Sequence, residues 1–67
     1  MRSLKRIGVV TEPAELPNCV ELLEAAGLML QGSREERPGY SSIWVDDADL
    51  ERALFILRAT GFDATYM

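Results

Sequence analysis

Thr11, Glu12 and Asn18 are the residues of this chain whose types and spacing could do chemistry together. They bracket the loop TEPAELPN, which leads into an amphipathic stretch ending at Gly27. A helix that starts in this loop presents free backbone N–H groups, and those favour a carboxylate. Glu12 or Asn18 could meet an ammonium group or a polar side chain. The loop could therefore hold a small zwitterion, with Gln31 and Ser33 completing the site from the second strand of another copy. A plainer reading stands beside it: Thr11 or Glu12 caps the loop, Asn18 is solvated, and Gln31 and Ser33 are polar residues ending an edge strand.

The remaining reactive types suggest less. Asp46, Asp47, Asp49 and Glu51 lack the spacing and the glycine of an EF-hand loop and read as helix capping. Cys19 falls one helical turn from Leu23 on an apolar stripe, and the chain has no histidine to activate it. It reads as a small core hydrophobe. Trp44 reads as an interface or core residue, because no basic residue stands near it in sequence to accompany a stacked base. Arg2, Lys5 and Arg6 read as a solvated terminus rather than a phosphate site. No nucleophile–base pair or pair of buried carboxylates is evident, so the chain is read as a non-enzyme with no metal and no cofactor.

The totals set further bounds. The chain has 67 residues, enough for one domain with a modest core. Its hydrophobic fraction of 48% argues against disorder. The single cysteine excludes an internal disulfide, and one thiol without histidine cannot hold zinc. Self-association is left as the support a small domain usually needs. A net charge of −4 argues against nucleic acid and anionic membrane as partners. No apolar run is long enough to span a bilayer, and the N-terminus lacks the apolar region of a signal peptide, so a cytoplasmic location is expected.

These residues must be positioned by regular elements. Residues 5–11, rich in β-branched types, predict a central strand, with Gly8 marking a close backbone approach or a weak bulge. Pro17 lacks an N–H and must lie in the first turn of a helix, which places the helix start near residues 14–17. Leu16, Cys19, Val20, Leu23 and Ala26 share one face of it, and Gly27 ends it. Residues 28–33 predict a second strand, 34–39 a polar turn, and 40–45 a third strand paired with the second across a longish loop. Asp46 or Asp47 is placed to cap a second helix. Leu50, Ala53, Leu54 and Leu57 form its stripe, widened by Phe55 and Ile56, and Gly61 closes it. Residues 62–67 predict a last strand.

The order is β-α-β-β-α-β. It predicts an α+β, ferredoxin-like fold: a four-stranded antiparallel sheet with both helices on one face. The other face lacks a cover from this chain. One register places Ser42 and Trp44 there and sends Ile43 and Val45 toward the helices.

In this arrangement the chain resembles the ACT domain, a small regulatory module of amino-acid metabolism. The similarity runs over roughly residues 6–67. Glu12-Pro13-Ala14-Glu15-Leu16 stands where that family has Asp-Arg-Pro-Gly-x-Leu, and VELLEAAG ends the helix at the same spacing. Ile43-Trp44-Val45-Asp46-Asp47, the pair Ala53-Leu54 and Thr60-Gly61-Phe62 continue the likeness. Ala14 replaces the family's loop glycine, which lets backbone approach an effector closely. The resemblance implies copies joined edge to edge and an amino acid or related metabolite held where they meet. Thr11, Glu12, Pro13, Ala14, Leu16 and Asn18 of one copy would then face Gln31 of another. It also implies a metabolic enzyme as a further partner. The alternative is a ligand-free dimerisation or protein-interaction module of the same fold.

Overall fold

A computed structural model describes residues 3–66. Arg2 of the basic terminus and Met67 of the expected last strand lie outside the described residues. The elements are β1 (Leu4–Val10), a 3-10 turn (Pro13–Glu15), α1 (Leu16–Ala25), β2 (Leu30–Arg37), β3 (Tyr40–Asp46), a second 3-10 turn (Asp47–Asp49), α2 (Leu50–Ala59) and β4 (Asp63–Tyr66). The four strands form one antiparallel sheet in the order β2-β3-β1-β4. This is the ferredoxin-like α+β arrangement that the element order predicts.

Strand alternation explains where the core lies. Ile7 pairs with Ile43, and Val9 with Ala64, so all four point to the same side of the sheet. They join Val45 in one buried cluster with Cys19 and Leu23 from α1 and Ala53 and Leu57 from α2. Both helices therefore cover that face. Leu16, Leu50, Leu54, Ile56 and Phe62 pack around its margin.

Each helix ends the same way. Gly27, at φ +86°, lets its N–H reach Glu24 O at 2.9 Å while the Leu28 N–H reaches Leu23 O at 3.1 Å. Gly61, at φ +95°, repeats this with Arg58 O at 3.1 Å and Phe62 donating to Leu57 O at 2.9 Å. These are paired Schellman closures, and each sets an apolar residue after the glycine over the leucine it bonds to.

Several expectations are corrected. β2 runs from Leu30 to Arg37, so most of the stretch read as a polar turn is strand. Its charged residues hid it, because an edge strand with an open face does not need apolar alternation. The hairpin loop is only Pro38-Gly39, with Arg37 paired to Tyr40 and Gly39 at φ +84°. Proline then glycine suits the two central positions of a type II turn. β1 ends at Val10, so Thr11 is the first loop residue. Of the two readings of Gly8 the bulge is removed: Gly8 sits in unbroken register between Ser42 and Thr65, and the two register shifts fall on β2 instead. Phe55 does not widen the buried stripe: it is 71% exposed, because it lies on the side of α2 opposite Ala53 and Leu57. Neither helix start has a side-chain cap at its N-cap residue. The chain turns through a 3-10 segment at Asp47–Asp49 as it does at Pro13–Glu15.

Candidate functional site

The β1–α1 loop is held at one end of the sheet by backbone. The Thr11 N–H donates to Gly39 O at 3.1 Å, which ties the loop to the tip of the β2–β3 hairpin. Thr11 is buried, and its hydroxyl donates to Glu12 O at 3.4 Å. Pro13 opens the 3-10 turn, which the Glu15 N–H closes on Glu12 O at 2.9 Å. Ala14 has negative φ like every other non-glycine described residue, so the loop's conformation does not call for glycine there. Glu12, Pro13, Ala14 and Asn18 are exposed, and Leu16 is half-buried against the core. Asn18 is engaged locally: its Nδ2 donates to Glu15 Oε2 at 3.0 Å.

Behind the loop lies Cys19, fully buried. Burial pushes its thiol pKa up, and the neighbouring Thr11 hydroxyl, which favours the thiolate, offsets part of that. Thr11 thus faces the core as much as the loop.

Gln31 is the sequence-proposed residue that one chain does not bring to this place. It falls at the register shift between Leu30 and Gly32, beside Val45 and Trp44. Those residues pair with Lys5 and Arg6, whereas Thr11 follows Val10 at the far end of the same strand. About 18 Å of strand separates the two positions.

The uncovered sheet face carries polar chemistry that was not evident in the sequence. Arg6 pairs with Trp44, and the Arg34 guanidinium lies 5.6 Å from the centroid of the Trp44 ring. Arg37 stacks 4.7 Å over Tyr40. Trp44 therefore does have basic neighbours, brought there by strand pairing. Arg34 also grips Glu36, at 3.0 and 3.2 Å through its terminal nitrogen. Arg34 holds the Glu36 carboxyl below its usual range, with the Ser42 hydroxyl assisting. That hydroxyl is buried and lies near the carboxylate without a hydrogen bond of good geometry. Ser42 and Trp44 do lie on this face, but Ser42 is buried, so the face is partly covered by its own long side chains. A strand pattern over residues 34–37 was the signal that could have exposed these stacks.

Two cavities lie away from the loop. One, of about 510 Å³, is lined by Ser3, Gly27, Met29 and the Asp46–Asp49 turn. The other, of about 570 Å³, is a shallow groove on the outer side of α2. No group of acidic, cysteine or histidine residues among the described residues is arranged to hold a metal ion. Among the described residues no helix is long and apolar enough to cross a membrane.

Comparison with family models, with curated proteins and with solved structures finds no match to this chain.

Proposed function

We propose that the chain is a small ACT-like regulatory module that self-associates and holds an amino acid or related metabolite where two copies meet. The observation that carries this reading is the placement of Gln31 and the β1–α1 loop at opposite ends of the sheet, with β2 as an open edge between them. When two β2 edges pair antiparallel about a two-fold axis, the start of one lies beside the end of the other. Gln31 of one copy then approaches the hairpin tip of its neighbour, to which Thr11 is bonded. Glu12, Ala14 and Asn18 line the exposed side of that loop. Its helix start lacks a side-chain cap, although the Glu15 and Leu16 N–H groups are taken by Glu12 O and Pro13 O within the turn.

A ligand-free interaction module is the second reading. It is favoured by the uncovered sheet face, where Leu4 and Val10 are each 54% exposed next to the arginine–aromatic stacks.

Native mass and melting temperature, measured together with each common amino acid at millimolar concentration, separate the two. A ligand at a hundred times its dissociation constant adds about 2.7 kcal/mol, a shift of roughly 10 °C or more in a domain this small. One clear hit on an oligomer supports the metabolite reading, and Glu12→Ala or Gln31→Ala then removes it. An oligomer with no hit leaves the interaction module. A monomer with no hit overturns both.

A further inference from the structure

The outer ridge of α2 is complementary to itself. Ala53 and Leu57 point into the core, which turns Glu51, Phe55 and Arg58 outward with Leu54 at their flank. With Ala59 they line the shallow groove. An exposed phenylalanine bordered by a leucine and by charges of both signs is the makings of a contact surface.

The arrangement of the charges indicates what covers it. Positions 51 and 58, and positions 54 and 55, lie symmetrically about one point midway between Leu54 and Phe55. A second α2 laid antiparallel across a two-fold axis at that point sets Glu51 against the other copy's Arg58, and Arg58 against its Glu51. Leu54 and Phe55 flank the line from Glu51 to Arg58 on opposite sides, so the same operation sets Leu54 against the other copy's Leu54 and Phe55 against its Phe55. Within one helix Glu51 and Arg58 are about 10 Å apart along the axis and do not reach each other. The Arg58 Nε donates to Ala64 O at 2.8 Å, which anchors the side chain and leaves its terminal nitrogens as further donors.

We propose that α2 is a homodimer face, in which two copies of this chain pair through Glu51, Leu54, Phe55 and Arg58 about a two-fold axis. The surface belongs to the β4 side of the molecule, away from the β2 edge. It deepens the self-association reading without depending on the metabolite or on edge pairing. The patch is small, so the dimer is weak and concentration-dependent.

Sedimentation equilibrium of the whole chain from micromolar to millimolar concentration tests it. Phe55→Asp and Glu51→Arg, both at exposed positions, each weaken association at least about tenfold, with melting temperature close to the parent's. Arg58→Glu weakens it as well. An equimolar mixture of Glu51→Arg and Arg58→Glu chains recovers association as a heterodimer, since every cross pair is again of opposite sign. A merely structural role for these residues gives no such recovery. If Arg58→Glu fails to fold through loss of its bond to Ala64, the other two variants still decide. Association that is unchanged in Phe55→Asp and Glu51→Arg overturns the α2 face and leaves self-association standing. So does a folded pair of charge variants whose mixture stays dissociated. A parent chain that is monomeric throughout overturns both.

Discussion

The first half of the molecule, β1 to β2, and the second, β3 to β4, use the same local scheme. In each, a strand with two buried aliphatics runs into a one-turn 3-10 segment, then a ten-residue helix, then a Schellman closure on glycine. They part after the glycine. The first half continues into an eight-residue edge strand that is exposed along nearly its whole length. The second continues into a four-residue strand, and its helix turns an aromatic residue outward. The halves therefore contribute equally to the core and differently to the surface. The loop and β2 edge of the proposed ligand site come from the first, and the α2 ridge of the proposed dimer face from the second.

The largest effects test the equality. Leu23 and Leu57 occupy the same place in the two helices, third from the end, and both are fully buried. Leu23→Ala and Leu57→Ala should each cost about 2–5 kcal/mol, enough to unfold much of so small a domain. Urea unfolding measures it, and a gap between them of more than about 2 kcal/mol would mean that the halves do not share the core evenly.

The closures come next. A Cβ added at Gly27 or Gly61 would meet nothing within 4 Å, so replacement is penalised by backbone conformation alone. Gly27→Ala and Gly61→Ala should each lose about 1–2 kcal/mol, and by similar amounts. Thermal melting that found one replacement neutral would show that its helix can end by another route.

The smallest effect separates the halves. On β2, the Arg34 guanidinium keeps the Glu36 carboxyl below its ordinary value. A lowered carboxylate pKa adds stability above the ordinary range, and that increment disappears as pH falls through the folded value. Carboxyl NMR titration should place Glu36 below the ordinary carboxylate range, and Arg34→Ala should raise it toward that range. No change on Arg34→Ala would detach this edge strand from the contact that organises its polar face.

The fold was legible because its signals are local. Pro17 confined the start of α1, Gly27 and Gly61 marked both helix ends, and Ile43 and Val45 alternated away from Ser42 and Trp44 as a strand requires. The β1–α1 connection, Thr11 to Asn18, was likewise legible as one continuous segment, though not that Thr11 would turn toward Cys19. β2 was half missed, because a charged edge strand lacks the apolar period that reveals buried ones.

The sequence by itself determined the order of elements, the apolar set that fills the core and the glycines that end the helices, since these depend on spacing along the chain. Tertiary structure alone decided which distant residues meet. Strand pairing brought Arg6 and Arg34 to Trp44, tied Thr11 to Gly39, and set Gln31 at the opposite end of the sheet from the β1–α1 loop of its own chain. Helix packing decided that Phe55 faces outward, because Ala53 and Leu57 together fixed the rotation of α2 against the sheet. Register and rotation are set by the whole core at once, and no single stretch of sequence contains them.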